Sequence, residues 1–195
     1  MGRGFITKAD LPDMRVEVKP VGRWDQAIAT FQKLGPGIKR ASIKAQTSVA
    51  KDVMKKVKDH IRNQDLGWKK LSPDYAGRKS ELGLDPRILI AYGHYYHAVE
   101  VWHTGNRHMV FVGVKRGKYT QTISGKKSRL DIATIAYLHE FARGKRFPRR
   151  PLWNPTIQEI GGAKGIKERY IKYLKHWLRR EGLPVTSTIA KFSWR

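Results

Sequence analysis

The stretch Ala136-Tyr137-Leu138-His139-Glu140-Phe141-Ala142-Arg143-Gly144-Lys145-Arg146-Phe147-Pro148-Arg149-Arg150-Pro151-Leu152-Trp153 decides how this chain is organised. Its first half predicts the end of a short helix or strand that closes at residues 142–144. Its second half carries Pro148 and Pro151, and each proline fixes its own φ and pushes the preceding residue toward extended geometry. The stretch therefore predicts a stiff, extended connector that joins neither neighbouring helix, with a long helix beginning at Asn154-Pro155.

Two kinds of side chain lie along this connector. The apolar ones are predicted to anchor it to a core: Phe147, Leu152 and Trp153. The charged ones are Arg143, Lys145, Arg146, Arg149 and Arg150. Because a buried charge without a partner is costly, we expect these cations to point to solvent or to an acidic surface.

The clearest helix runs from Ile38 to Asn63. Apolar residues recur there every three or four positions, which is one stripe of a 3.6-residue period: Ile38, Ala41, Ala45, Val49, Val53, Val57 and Ile61. The lysines that lie mostly off this stripe are Lys39, Lys44, Lys51, Lys55 and Lys58. The pattern fits either a core helix with a solvated basic back or a basic back that contacts phosphate or acidic protein.

A second long helix is predicted from about Pro155 to Glu181. Its apolar stripe comprises Ile166, Tyr170, Leu174 and Trp177. Gly161, Gly162 and Gly165 weaken its first half by about 1 kcal/mol each relative to alanine, and they predict a kink or the close approach of another backbone. Gly182 and Pro184 end the helix, and the tail that follows is predicted to dock on its own domain or on a neighbouring subunit.

Shorter elements lie between the two long helices. Ser72-Pro73 predicts the start of a helix that ends near Leu82. Residues 99–102 and 109–114 read as two strands of a hairpin, and residues 131–141 as a short helix. Residues 115–128 are basic and rich in Gly, Ser and Thr, and they read as a loop of uncertain order.

These elements predict an α+β fold: a small antiparallel β-sheet packed by two long helices and short helices, with extended terminal arms. We expect three regions. Residues 1–36 form an N-terminal arm with a strand at 14–18 and a short helix at 24–34, residues 37–182 form the α+β domain, and residues 183–195 form a C-terminal arm.

The composition indicates an anionic partner. The chain has 195 residues, with 40 Lys and Arg against 16 Asp and Glu, which gives a formal net charge of +24. Self-repulsion on this scale is offset only where nucleic acid, an acidic protein surface or an anionic membrane neutralises it. The chain has no cysteine, so it has neither a disulfide framework nor a Cys-based zinc site. Residues 1–19 contain no apolar segment typical of a signal peptide, and no apolar run reaches the roughly 18 residues of a membrane span.

Few residues suggest chemistry. The histidines that could hold a metal ion are His94, His97, His103 and His108, but no Cys or carboxylate stands at a suitable spacing beside them. His139-Glu140 lacks the second histidine of the zinc-protease motif, so Glu140 is predicted to pair with an arginine or to cap backbone at the turn. Residues 161–165 resemble a phosphate loop only in their glycines. We therefore expect no enzyme activity, no cofactor and no metal.

The order of several short motifs resembles a known family, the virion morphogenesis or tail completion proteins of tailed phages, including the tail-to-head joining type. The motifs run through residues 38–181: a helix, then Trp68-Lys69-Lys70-Leu71-Ser72-Pro73, Lys79, Leu89-Ile90-Ala91-Tyr92-Gly93, a hairpin, Ala136-Tyr137-Leu138-His139-Glu140-Phe141, and Phe147-Pro148-Arg149-Arg150-Pro151-Leu152-Trp153. The chain departs from the family at two points. Family members usually have Thr-Gly or Ser-Gly followed by Leu where it has Tyr92-Gly93 and Tyr95, and many have Gly where it has Ala142.

The resemblance implies a structural protein of the phage neck that assembles as a ring, commonly hexameric, on the tail axis. Its implied partners are other copies of itself, the head connector or adaptor, the tail terminator or tail tube proteins, and genome DNA in the channel, with no membrane. The implied location is the virion, after assembly in the host cytoplasm. In this interpretation the cations bind acidic neighbours or DNA, and salt weakens assembly.

The resemblance and the charge together nominate two sets of contact residues. The expected intersubunit or neck-partner contacts are Arg143, Lys145, Arg146, Phe147, Arg149, Arg150, Trp153, Phe192 and Trp194. The expected contacts to DNA or an acidic surface are Lys115, Arg116, Lys118, Lys126 and Lys127. Two alternatives stay open: a stand-alone basic nucleic-acid-binding protein, and a metal-dependent nuclease that uses the four histidines.

Overall fold

The computed structural model describes residues 35–90, 92–104, 109–115, 120–123, 126–141, 148–183 and 185, with backbone alone at 120–123 and 126–130. These residues belong to two compact units. One comprises residues 58–100 and 113–153, and the other comprises residues 35–57, 101–112 and 154–185. The fold is α+β, as predicted. Nearly all of both predicted arms lies outside the described residues, and the division at 1–36, 37–182 and 183–195 stays a prediction.

Along the described chain, three helices are followed by four short strands and then by three more helices. The helices are α1 (Pro36–Asn63), α2 (Pro73–Glu81), α3 (His94–Ala98), α4 (Ile132–Phe141), α5 (Trp153–Glu159) and α6 (Gly162–Arg180). The strands are β1 (Val99–His103), β2 (Val110–Val114), β3 (Thr120–Ile123) and β4 (Lys126–Asp131). The predicted helices at 38–63, 73–82 and 131–141 and both strands of the predicted hairpin are confirmed, with ends that differ by at most a few residues.

The local chemistry of α1 and α2 explains their bounds. Helix α1 buries the predicted apolar stripe, including Ala41, Ala45 and Val57, none of which exposes any surface. Helix α2 begins after Ser72, whose hydroxyl accepts a hydrogen bond from the backbone N–H of Tyr75, and Pro73 occupies the first turn. That bond satisfies one of the N–H groups that a helix start leaves unpaired.

Helices α1 and α6 form the core of the second unit. The buried cluster consists of Ala41, Ala45, Val49, Tyr170, Leu174 and Leu178. Polar contacts flank it in antiparallel order, because Lys44 binds Glu181, Ser48 accepts from Trp177, and Asp52 accepts from Tyr173. The small alanines let the two helices approach closely, and the larger side chains of α6 fill the space between them.

The β structure differs from the prediction of one small sheet. Strand β1 pairs with β2, and β3 pairs separately with β4 in an antiparallel ladder that is irregular between Thr120 and Thr122. The prediction of a loop at 115–128 was therefore wrong for much of its length. Backbone pairing forms this second ladder, and its sequence lacks the apolar alternation on which the prediction relied.

Helices α5 and α6 replace the single helix predicted at 155–181, so its predicted continuity was wrong, while the chain does bend at the glycines for which a kink was predicted. The break falls at Ile160-Gly161, where Gly161 and Gly162 adopt φ of +98° and +60°. The predicted close approach of backbone is present at Gly165, where a Cβ would lie 1.9 Å from the carbonyl oxygen of Ile160. Glycine is the one residue that fits there without displacing backbone.

Replacement of Gly165 by alanine is expected to destabilise the chain by about 1–3 kcal/mol, because overpacking against backbone outweighs the better helix propensity of alanine. Gly77→Ala is the matched control, since Gly77 lies in α2 with nothing within 4 Å of its added Cβ. The control should be neutral or stabilise by about 0.5–1 kcal/mol. Urea unfolding followed by circular dichroism measures both variants, and equal effects would contradict the close approach.

Candidate functional site

Five buried residues from four of the sequence motifs lie in the proline-containing connector, beside it or in the elements before it. We call this group the clasp: Trp68, Lys79, Glu140, Arg150 and Trp153. All five belong to the first unit. Trp68 and Lys79 follow helix α1 in the sequence, Glu140 lies in the last turn of α4, and Trp153 begins α5.

Glu140 is the acceptor at the centre of the clasp. Its side chain is buried, and its Oε2 accepts the backbone N–H groups of Leu152 at 2.7 Å and Trp153 at 3.1 Å. Both N–H groups lie at the start of α5, where no carbonyl of the same helix is available to accept a hydrogen bond from them. A carboxylate also interacts favourably with the positive end of a helix dipole. The prediction that Glu140 caps backbone is confirmed.

Three donors hold the connector itself. The backbone N–H of Arg150 donates to the carbonyl of His139 at 2.7 Å, and Arg149 Nε donates to the carbonyl of Glu140 at 2.9 Å. Trp68 Nε1 donates to the carbonyl of Pro151 at 2.8 Å. The connector is therefore fixed to the last turn of α4, whose carbonyls lack helical partners, and to the loop that follows α1.

Two cations of the clasp are buried against carbonyl oxygens. Arg150 is 7% exposed and donates from Nε to the carbonyl of Lys69 at 3.3 Å. Lys79 is 3% exposed and donates from Nζ to the carbonyl of Arg87 at 2.7 Å. Burial lowers the pKa of both groups; for Lys79 the charge of Asp85 opposes this shift and the charge of Arg150 adds to it.

The burial of Arg150 contradicts the expectation that all the connector cations point to solvent or to an acidic surface. A backbone carbonyl serves as its partner, and sequence reasoning considered only water and carboxylates as partners for a guanidinium. Arg149 does follow the expectation, because its side chain is exposed while its Nε reaches the carbonyl of Glu140.

His139, which precedes Glu140 in the last turn of α4, is a largely buried titratable group. Burial lowers its pKa to about 4, and the nearby charge of Arg150 lowers it further, while a hydrogen bond with the backbone of Pro148 opposes the shift. Its Nδ1 has no partner among the described residues. The imidazole is therefore neutral at physiological pH.

The structure locates only part of the predicted contact residues. Leu152 and Trp153 are buried, which confirms them as anchors of the connector, and Arg150 is buried as well; the contacts of Trp153 and Arg150 with a partner stay predictions. Arg149 and Lys115 are exposed. The others lie outside the described residues or have side chains that do: Arg116, Lys118, Lys126, Lys127, Arg143, Lys145, Arg146, Phe147, Phe192 and Trp194.

The histidines considered as metal ligands have other contacts. His94 stacks on Tyr92 with ring centroids 5.8 Å apart, and His97 meets the edge of Tyr96 at 5.4 Å. His103 ends β1, and His108 lies outside the described residues. Within the part of the chain that the structure describes, no three His, Asp or Glu side chains come together to hold a metal ion.

Four exposed apolar side chains in the first unit were missed by the sequence reasoning. Leu82 is 66% exposed and Phe141 52%, and Tyr92 and Tyr75 are exposed by almost half. Tyr75 and Leu82 stand seven positions apart at α2, which places them on one side of it. That seven-residue spacing can be read from the sequence.

Comparison with family models, with curated proteins and with solved structures finds no match to this chain. Among the helices that the structure describes, none combines the length and the apolar character that crossing a bilayer requires. The assignment of a function therefore depends on the residues and contacts described above.

Replacement of Glu140 by alanine is expected to cost about 2–5 kcal/mol of unfolding free energy, because two buried N–H groups lose their acceptor. Glu140→Gln should cost less than half as much, since an amide oxygen still accepts. Glu168→Gln on the exposed side of α6 is the control and should stay within about 0.5 kcal/mol of the parent. Urea unfolding measures all three, and a neutral Glu140→Ala variant would refute the capping role.

The lowered pKa of His139 makes stability depend on pH. The unfolded imidazole titrates near 6.5 and the folded one near 4, so the stabilisation is complete above pH 6.5 and falls as the pH drops to 4, by up to about 3 kcal/mol. The difference in unfolding free energy between pH 7.5 and pH 4.5 should shrink by this amount in His139→Asn. His176→Asn, at an exposed position on α6, should keep the full difference. Equal pH dependence in both variants would exclude the buried neutral imidazole.

Proposed function

We propose that this chain is a structural virion protein of the phage neck or tail end, which forms a ring that completes the tail and joins it to the head connector. The observation that carries the proposal is the clasp. The motifs on which the family resemblance was based are spread over residues 68–153, and the structure joins Trp68, Glu140 and Arg150 through hydrogen bonds to the connector and its neighbours. Motifs that support one another in three dimensions are better evidence of kinship than their order alone.

The chemistry of the clasp favours a scaffold over a catalytic centre. Glu140 is engaged by two backbone N–H groups, and Lys79 and Arg150 donate to carbonyls. A general acid or base needs a proton within reach of a substrate, and a nucleophile needs an adjacent base. The described contacts of Glu140 and Arg150 instead fix the connector, and that of Lys79 fixes the loop after α2, so the residues that flank the connector are held in a defined position for assembly.

A second copy of the chain is the proposed occupant of the exposed apolar residues in the first unit. Large exposed apolar side chains that cluster on a soluble protein mark interaction sites. Tyr75 and Leu82 share one side of α2, and Leu82 is the most exposed large apolar residue among those described. A ring repeats one interface around its axis, so a surface of this kind is used once in every subunit.

The surplus of positive charge supports acidic or nucleic-acid neighbours. A ring multiplies the net charge of +24 by the number of subunits, so stable assembly requires anions close by. The proposed sources are the head connector or adaptor, the tail terminator or tail tube, and genome DNA in the channel. In this proposal the protein is assembled in the host cytoplasm and resides in the virion, and it acts without catalysis, cofactor or membrane.

Imaging of particles made without this chain tests the proposal. Full heads and separate tails are expected, with joined particles restored when the chain is supplied in trans. Normal joined particles in its absence would overturn the proposal.

The substitution Leu82→Glu is expected to shift the purified protein from a ring to a monomer, because it places a charge in the proposed subunit interface. Ser80→Glu introduces the same charge at an exposed position of α2 and serves as the control, which should retain the ring. Native mass spectrometry gives the subunit number of both. A ring unaffected by Leu82→Glu would remove α2 from the interface.

The alternative of a stand-alone nucleic-acid-binding protein is favoured by one observation: Lys51 and Lys55 are exposed cations with no partner among the described residues. Basic surfaces bind duplexes without sequence preference, so charge alone does not separate the two functions. Tight duplex binding by a protein that stays monomeric would favour this alternative.

A further inference from the structure

One side of helix α1 carries a continuous row of cations. We call it the α1 ridge: Lys44, Lys51, Lys55, Lys58 and Arg62. Together with Ser48, these residues recur every three or four positions, which places them on one side of the helix. All except Lys58 are exposed. At 1.5 Å per residue the ridge is about 27 Å long, which approaches one turn of a nucleic-acid duplex.

The carboxylates next to the ridge are already neutralised. Glu181 binds Arg40 at 2.9 Å and Lys44 at 2.8 Å, and the pKa of Glu181 is lowered by those hydrogen bonds. Asp52 accepts the hydroxyl of Tyr173 at 2.8 Å and lies 3.6 Å from Arg169. These pairs leave Lys51 and Lys55, in the middle of the ridge, without a compensating negative charge from a described neighbour.

The middle of the ridge is where charge is least compensated. Lys51 and Lys55 have no ion pair or hydrogen-bond partner among the described residues, whereas Lys44 pairs with Glu181 and Arg62 lies 3.5 Å from Asp59. Lys58 and Arg62 also lie over the ring of Tyr96. Lys51 and Lys55 are therefore the cations of the ridge that are free to bind a partner.

The composition of the surface around the ridge favours nucleic acid over protein as the partner. The core of a protein interface is enriched in aromatic and apolar residues, whereas protein–nucleic acid interfaces are more polar and strongly positive. The large exposed apolar side chains of the described residues lie off α1 and α6: Tyr75, Leu82, Tyr92, Met109 and Phe141. The aromatic residues beside the ridge, Tyr173 and Trp177, are partly buried and bonded to Asp52 and Ser48.

We propose that the α1 ridge binds the phosphate backbone of a nucleic-acid duplex, with Lys51 and Lys55 as its central contacts. None of the ridge residues belongs to the set for which the sequence predicts contacts to DNA or an acidic surface: Lys115, Arg116, Lys118, Lys126 and Lys127. The proposal goes beyond the function proposed above, since the ridge is present in a monomer and in a ring alike. Backbone contacts of this kind give binding that is independent of sequence and strongly dependent on salt.

The experiment compares two double variants that lower the net charge equally. Lys51→Gln/Lys55→Gln alters the ridge, and Lys172→Gln/Lys175→Gln alters the outer row of α6, away from Tyr173 and Trp177. Fluorescence anisotropy with a labelled 30-base-pair duplex gives the affinity of the full chain over a range of salt concentrations. The ridge variant should bind about tenfold more weakly, with a salt slope smaller by about 2, while the control should change less than about threefold.

Several outcomes would overturn the proposal. Equal losses in the two variants would mean that binding reports only net charge, and an unchanged ridge variant would exclude Lys51 and Lys55. If competition with polyglutamate showed that the ridge variant loses affinity for the acidic polypeptide but keeps it for the duplex, the ridge would be a protein-docking surface. Lys51→Arg/Lys55→Arg keeps both charges and should retain duplex binding, and a loss of binding in this variant would show that the effect does not come from the charge of the ridge.

Native mass spectrometry of the same variants separates this proposal from the proposed neck function. A ridge variant that forms the ring of the parent and binds duplex poorly supports the ridge and leaves the ring intact. A parent chain that stays monomeric but binds duplex through Lys51 and Lys55 supports the ridge and contradicts the ring.

Discussion

The contact between the buried carboxylate of Glu140 and the backbone N–H groups of Leu152 and Trp153 is the constraint on which the first unit depends. The connector that precedes these residues contains Pro148 and Pro151, which have no N–H to donate, so the connector is poorly suited to a β-ladder. Its polar groups must be satisfied by side chains and by the ends of helices. Glu140 supplies the acceptor for Leu152 and Trp153, and Trp68 donates to the carbonyl of Pro151. The connector's own Arg149 and Arg150 donate to the carbonyls of Glu140 and Lys69.

The cations of the described chain fall into a buried group in the clasp and an exposed group on the helices. Lys79 and Arg150 are buried, which is tolerable because each donates to a backbone carbonyl. Most of the remaining cations of α1 and α6 lie at the surface, where the nearby carboxylates engage only some of them. The described chain therefore offers two different kinds of surface: exposed apolar side chains in the first unit and a basic ridge along α1. The first suits another protein subunit, and the second suits a polyanion.

Much of the helical structure could be predicted because the signals were local. The apolar period of α1, the Ser72-Pro73 start of α2 and the run from Asp131 to Phe141 each specify a helix without help from distant residues. The wrong predictions concern features that the apolar period of the sequence does not report. The break at Gly161 depends on the approach of the Ile160 carbonyl to Gly165, and β3 and β4 depend on pairing of segments with little apolar alternation. The cap formed by Glu140 could be anticipated from its place at a helix end, but the burial of Arg150 depends on the carbonyl of Lys69, which is 81 residues away in the chain.

The central claim is that Glu140 holds the start of α5 and thereby fixes the connector. Amide hydrogen exchange at Leu152 and Trp153, followed by nuclear magnetic resonance in the full chain, measures this most directly. The account predicts that both amides exchange slowly in the parent and lose their protection selectively in a variant without the carboxylate, while amides in the middle of α1 stay protected. Rapid exchange at Leu152 and Trp153 in the parent would contradict the account.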